Sequence, residues 1–317
     1  MPDQDRLEMI AEIARYYYEK NLSQAEIGRL FDISHSTVSR MLHEALEEKI
    51  VEVIIHFPFK TLPSLGKALA KRFNIKAAYV LPGSDANYTE LVENLGRYAA
   101  RLLVDVLEDG KMLGISLGMA VAATVRHVKV NKPMHVRVVR LQGATENEIR
   151  EGTDLAQVLA AQMGNDAMIV PSPWVMKSKE ARDLILQEHS VQEIIRMAEK
   201  ADIGLVGVGS TVSSYSTILQ NKLTTEERLK DLEAAGAVGE ICGKYFDKNG
   251  CILDVDFNDR TVSIELEKLR DFDTVIGVAG GINKAKSIIA AMRGGFVNIL
   301  VTDSDAARRI LELSEEE

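Results

Sequence analysis

SQAEIGRLFDISHSTVSRML, residues 23–42, reads as two short helices joined by a tight turn, the second polar on one face. Ser23 is placed to cap the first helix, and Glu26, three residues on, to close a capping box. Ala25, Ile27, Leu30 and Phe31 form its expected buried side. Asp32 falls at a turn that needs a residue tolerant of positive φ. Ser34 is placed to cap the second helix, with Ile33, Val38, Met41 and Leu42 facing inward. Ser34, His35, Ser36, Thr37, Ser39 and Arg40 then look outward, and small hydroxyls with one arginine suit a DNA groove better than a core. The pattern is that of a helix-turn-helix, whose second helix enters the major groove of double-stranded DNA. Gln24 and Thr37 are placed for phosphates or base edges.

The plainer reading is a helical hairpin inside a small bundle. Position favours the DNA reading. A helix from Gln4 to Tyr18, with Leu7, Ile10, Ile13 and Ala14 at helical spacing, precedes the pair, and an apolar strand, Ile50–Ile55, follows it as in a winged head. Residues 1–56 are therefore expected to form the DNA-binding domain.

The chain has 317 residues, 46% of them hydrophobic, enough for one small and one large domain. Its first residues are polar and acidic, and no apolar run approaches the roughly 18 residues needed to span a bilayer, so a cytoplasmic protein with no membrane partner is expected. Cys242 and Cys251 are too few for a disulfide framework or a zinc site, and are expected as buried or partly buried thiols; no metal or cofactor is implied. The net charge of −9 argues against a non-specific nucleic-acid coat. Even the head carries more acids than bases, so one head alone is expected to bind weakly, with affinity supplied by several heads in a homo-oligomer.

Pro58 and Pro63 mark a linker over residues 57–63. From 64 to 317 short apolar runs alternate with helical patterns, which predicts a doubly wound, Rossmann-like α/β domain with a parallel sheet covered on both faces. Strands are expected at 77–81, 112–115, 136–141, 167–170, 203–208, 274–278 and 299–302, and in such sheets ligands sit beyond the carboxyl ends of the strands.

Four loops in this domain collect candidate chemistry. Gly114-Ile115-Ser116-Leu117-Gly118-Met119-Ala120 passes from strand to helix, where free N–H groups and the helix dipole favour an anion. Gly207-Val208-Gly209-Ser210-Thr211 repeats the pattern with hydroxyls. Gly236–Ile241 holds Glu240 in a glycine-rich, apolar context, where a carboxylate could accept hydrogen bonds from sugar hydroxyls or merely form a salt bridge or cap. Val278–Lys284 runs from a strand through Gly280 and Gly281 to Lys284 at a helix start, an unfavourable end for a cation unless an anion sits there.

RYYYE at 15–19 before the helix-turn-helix, GAVGEICGKYFDKNG at 236–250 and VIGVAGGINKAKSIIAAMRGGFVNILVTD at 275–303 resemble the SorC family of bacterial transcription regulators, across almost the whole chain. The resemblance implies an effector domain similar to sugar-phosphate isomerases and glucosamine-phosphate deaminase. It also implies a tetramer whose affinity for its operator is set by a phosphorylated sugar or related metabolite. It places the phosphate loop on Ser116, Leu117, Gly118 and Met119, the effector carboxylate on Glu240 and the effector lysine on Lys284. Ala120 and Val121 stand where the family tends to have threonines, which leaves Ser116 as the loop's hydroxyl. Gln142 and Gly143, after the strand ending at Leu141, form another expected pocket edge.

Three functions follow from these features. A regulator, by default a repressor released by its effector, uses both head and pocket. An enzyme, an isomerase or deaminase with an added head, wants an acid–base pair, often including histidine, and none of the six histidines lies in the final loops. A head used only for oligomerisation is the third. The regulator is the reading that accounts for both ends of the chain.

Overall fold

A computed structural model describes residues 3–51, 60–83, 87–130, 132–152 and 154–315. The chain divides into two compact units, Met1–Pro58 and Phe59–Glu317.

In the first unit α1 (Asp3–Tyr18), α2 (Gln24–Phe31) and α3 (His35–Glu47) enclose a small core of Ile10, Ile13, Ile27, Val38, Met41, Leu42 and neighbours. Burying Val38, Met41 and Leu42 contributes roughly 1.5–3 kcal/mol each. The capping box closes as the sequence predicts: Ser23 Oγ accepts from the Glu26 N–H, and the Ser23 N–H donates back to the Glu26 carboxylate at 2.8 Å. Asp32 ends α2 in the left-handed region, φ 52° and ψ 45°. A Cβ on Gly28 would stand 2.8 Å from the Ile33 carbonyl oxygen, so the bare α-carbon lets α2 approach the turn. Arg6 ties α1 to α3, donating to both Glu44 oxygens at 3.0 and 2.7 Å.

Leu7 and Leu30, expected inside, are 41% and 57% exposed, and Ala25 is exposed as well. Three short helices surround one narrow core, and these residues lie on the flanks of the apolar stripe rather than at its centre. Of the strand expected over 50–55, residues 52–55 lie outside the described residues. Ile50 and Val51 follow α3 and pack, partly buried, against the head's core.

The second unit begins with α4 (Pro63–Phe73). Pro63, read from sequence as linker, takes the first helical turn, where a missing N–H is harmless. Among the described residues ten strands follow: β1 (Ala77–Leu81), β2 (Met112–Ile115), β3 (Arg137–Arg140), β4 (Ala167–Met168), β5 (Ile203–Gly207), β6 (Gly209–Ser210), β7 (Gly239–Ile241), β8 (Lys244–Phe246), β9 (Thr274–Val278) and β10 (Ile299–Asp303). Seven pair in parallel in the order β1-β10-β9-β5-β2-β3-β4. Alternate residues feed two separate cores. Val139, Val206, Val275 and Leu300 join one, and Val138, Leu205, Ile276 and Val301 the other, which also receives α5 (Tyr88–Val106) and α6 (Met119–His127). From β2 the chain winds outward through β3 and β4, then returns to β5 on the other side of β2. That reversal opens a crevice at the carboxyl ends of β2 and β5.

The small antiparallel sheet β6-β7-β8 replaces the loop expected at Gly236–Ile241. Its hairpin turns on Cys242 and Gly243, with φ of 52° and 78°, the two positive values that a two-residue hairpin loop demands. A cysteine in the first of those positions is outside the usual Asn-Gly or Asp-Gly signature, so the strands escape a reading by pattern. Cys242 is buried, whereas Cys251, expected as at least partly buried, is exposed. Among the described residues no helix is long and apolar enough to cross a membrane.

At the end of β3 the Arg140 guanidinium is fully buried, donates to Glu148 at 2.9 Å and pairs with Asp154. Replacing it by methionine would strand two carboxylates in a buried position, so Arg140→Met is expected to lower unfolding free energy by about 3–5 kcal/mol in urea titrations. A loss below about 1 kcal/mol would mean the triad is not what holds this corner together.

Candidate functional site

A cavity lies at the carboxyl ends of β2, β5 and β9. Leu117 and Gly118 after β2 and Met119 and Ala120 at the start of α6 line it, with Val208 and Gly209 just after β5 and, from β9, its last residue Val278 and the following Ala279 and Gly280. Glu240 on β7, Lys284 at the N-terminus of the helix Ala285–Arg293, Tyr88 and Thr217 also line it. The interior is tight, with about 20 Å³ open to the centre of a water molecule, room for about one water.

Glu240 and Lys284 are its charged groups, and both are buried, 6% and 7% exposed. Glu240 Oε2 accepts the Gly243 N–H at 2.9 Å, across the hairpin turn. Its carboxylate lies over Gly209, where a Cβ would come within 1.8 Å of Oε1, so only glycine fits beneath it. Lys284 Nζ donates to the Val208 carbonyl at 2.7 Å. Among the described residues no carboxylate reaches the 4.0 Å of an ion pair with Lys284. Burial pushes the Glu240 carboxyl up, against the lowering effect of the Gly243 N–H and of Lys284. Burial likewise pulls Lys284 down to about 8, opposed by Glu240. The two charges feel one another across the cavity but do not touch. Among the described residues Lys284 Nζ makes that one bond, which leaves further N–H donors of the ammonium unused.

Gly118 caps α6, leaving the first N–H groups of that helix without intrahelical acceptors at the cavity wall. The opposite loop is held by Asp303, whose carboxylate accepts the Gly281 N–H at 2.6 Å.

Of the residues singled out from sequence, Leu117, Gly118, Met119, Gly280, Glu240 and Lys284 come together in this lining. Gly281 lies one residue beyond it, beside the Tyr88 ring. Ser116 is fully buried, and its hydroxyl accepts the Gly207 N–H at 3.1 Å, so it braces two loops instead of facing the cavity. Gln142 and Gly143 also fall outside the lining. Gln142 is fully buried with both amide atoms unpartnered among the described residues, and Gly143 packs beneath the Ser172 and Pro173 carbonyls. Tyr88 and Thr217 were not anticipated. Each sits on a helix remote in sequence from the glycine loops, and nothing in its local pattern announces the cavity. Among the described residues no group of three or more His, Cys, Asp or Glu side chains could hold a metal ion.

On the head, His35, Ser36, Ser39 and Arg40 are exposed on α3, while Gln24 and Thr37 are half-buried. Ser34 spends its hydroxyl on the helix start, accepting the Thr37 N–H at 3.1 Å and meeting Ser36 Oγ and Thr37 Oγ1 at 2.8 Å.

If Lys284 is held near 8 in the fold, against 10.5 ordinarily, it is charged in both states below that pH. Between 8 and 10.5 the unfolded chain holds the extra proton, so this group's contribution raises stability as pH climbs through that window. Wild type is therefore expected to gain on Lys284→Met by a few kcal/mol at most between pH 8 and 10.5, about 1.4 kcal/mol per pKa unit. Urea midpoints of the two proteins at matched pH values read this; parallel pH profiles would exclude a depressed Lys284.

The family model described as "Putative sugar-binding domain" matches residues 58–312, and that of "Sigma-70, region 4" matches residues 11–48. The deoxyribonucleoside regulator of Bacillus subtilis is 30% identical over 312 residues, 98% of this chain and 99% of that protein. The transcriptional regulator LsrR of Escherichia coli is 31% identical, covering 96% of this chain and 94% of its own. The crystal structure of the full-length sorbitol operon regulator SorC from Klebsiella pneumoniae superposes with a TM-score of 0.71 at 28% identity, over 97% of this chain and 99% of that one. These relatives are regulators by name, which favours the regulator over the enzyme. With a helix-turn-helix head, a seven-stranded sugar-binding fold and relatives matched end to end, the chain belongs to the SorC family of transcriptional regulators.

Proposed function

We propose that the cavity between Glu240 and Lys284 is the effector site, and that a carbohydrate or sugar phosphate bound there sets how firmly the head holds its operator. The observation that carries this is the buried, unjoined pair. A charged lysine and a carboxylate taken out of water without direct contact are costly to keep. A ligand offering an anionic oxygen to Lys284 and hydroxyls to Glu240 would satisfy both. The free N–H groups at the start of α6 face the same cavity and favour the same anion. A ring of sugar size exceeds the space inside, so binding requires the loops to part. An effector that prefers the parted arrangement shifts the population towards it, which is how a local fit becomes a switch.

On DNA, α3 reads the major groove through Arg40, His35, Ser36 and Ser39, with Ser34 and Thr37 at its N-terminal end and Gln24 at the start of α2 against the backbone. The default sense is a repressor released by its effector. The head is acidic on balance, and Arg40 is the lone arginine or lysine on α3. Several heads acting together, as in a tetramer, therefore supply the affinity that one lacks. The relatives' names, one for deoxyribonucleosides and one for a sorbitol operon, agree with carbohydrate effectors and an intracellular operator as partner.

With an operator selected from random duplexes, Arg40→Ala is expected to weaken binding by about 1–3 kcal/mol in fluorescence anisotropy. Unchanged affinity would remove α3 from the groove. Lys284→Met is expected to bind the same duplex within about threefold of wild type while losing effector-driven release. If Lys284→Met still responds fully to the effector, the cavity is not the sensing site.

A further inference from the structure

We infer that a groove between the helix Glu226–Ala234 and the short helix Asp256–Arg260 is a second ligand site, built for a free α-amino acid with an apolar side chain. The groove holds about 280 Å³, beside the roughly 300–1,000 Å³ of ligand pockets a volume for a small molecule. It shares no lining residue with the cavity around Glu240 and Lys284. Part of its lining is apolar: Leu232, Val255 and Phe257, of which Leu232 and Phe257 are buried. This part is braced from behind. Asn258 accepts the Tyr245 N–H at 2.7 Å and donates to the Tyr245 carbonyl at 2.9 Å, fastening the short helix to β8. The Phe257 ring meets the Tyr245 ring edge-on, with centres 5.3 Å apart. A wall held in this way costs little to organise around a ligand.

The polar groups in the same lining are unspent, and they carry both signs. Arg260 is buried, with Cζ 5.7 Å from the centre of the Phe257 ring. Its Nε donates to Asp256 at 2.8 Å and its Nη1 to the Met176 carbonyl at 3.0 Å, leaving Nη2 without a hydrogen-bond partner among the described residues. Arg228 and Asp231, three positions apart on the helix Glu226–Ala234, are exposed. Among the described residues neither side chain makes a hydrogen bond or an ion pair. Thr224, also in the lining, is buried with its hydroxyl unpartnered among the described residues. Guanidinium groups receive a carboxylate through a planar fork of N–H donors, and an aspartate carboxylate accepts from an ammonium. Free guanidinium donors, one free carboxylate and an apolar wall are together complementary to a zwitterion with a hydrocarbon side chain. A sugar would leave the apolar wall without a partner, and a polyanion would meet like charge at Asp231 and Asp256.

Isothermal titration calorimetry of the full-length protein with L-leucine and L-phenylalanine tests this, each matched by its amide, which lacks the carboxylate, and its N-acetyl form, which lacks the ammonium. At least one of the two amino acids is expected to bind, and its amide and N-acetyl form to bind at least about tenfold more weakly. Arg228→Ala is expected to weaken the parent amino acid by about fivefold or more, and Asp231→Asn to narrow its advantage over the N-acetyl form by a similar factor. Both positions are exposed, so the fold should tolerate the changes, and urea midpoints check that it does. Ala235→Trp, which fills the groove from another exposed position in its lining, is expected to abolish binding. The inference is overturned if neither amino acid binds up to about 10 mM. It is overturned equally by an amide or N-acetyl form as tight as its parent. Binding that survives both Arg228→Ala and Ala235→Trp unchanged would place the amino acid elsewhere on the chain and also overturn it.

Discussion

A sheet of seven parallel strands must be covered on both faces, and that requirement brings every strand out at the same edge. Each strand end in turn releases backbone N–H and C=O groups that no neighbouring strand receives. The winding reverses between β2 and β5, so the helices that follow these two strands diverge and leave a crevice. Glycines close the distance there. Gly118 starts α6, Gly209 makes room for a carboxylate, and Gly280 lies against Asp303. The cavity is thus a by-product of topology, furnished afterwards by a few polar side chains.

Those side chains come from elements that do not belong to the main sheet's edge. Glu240 rides on a three-stranded antiparallel sheet, anchored by the Gly243 N–H of its own hairpin, while Trp174 Nε1 donates to the Cys242 carbonyl at 3.1 Å and braces the turn. Lys284 precedes a helix whose first turn repels it, held by the Val208 carbonyl from the neighbouring loop. Both ionisable groups would be better solvated elsewhere, and each is kept in place by a single hydrogen bond to backbone. Such under-satisfaction in a concave site is what the proposed effector site rests on.

Much of this was legible beforehand. The head's capping box, the left-handed Asp32 and the boundaries of α2 and α3 follow from side-chain chemistry within a few residues, so a local reading finds them. Strands β1, β2, β9 and β10 are continuous apolar runs between helical patterns, which the alternation of buried cores requires. Glu240 and Lys284 stood out because each is a charge in surroundings that do not suit one. The β6-β7-β8 sheet did not stand out: its strands are two or three residues long and its turn begins with a cysteine.

What the amino-acid order determined, then, is whatever depends on neighbours along the chain: caps, turns, periodicity, and the glycines that end strands. The tertiary structure alone decided which of those loops share a space. It turned Ser116 inward to brace Gly207, withdrew Gln142 and Gly143 from the lining, and brought Tyr88 and Thr217, about 30 to 100 residues away from the loop after β2, into it. Side-chain direction at a strand end depends on register and on the helix packed above it, and neither is written in the residues beside it.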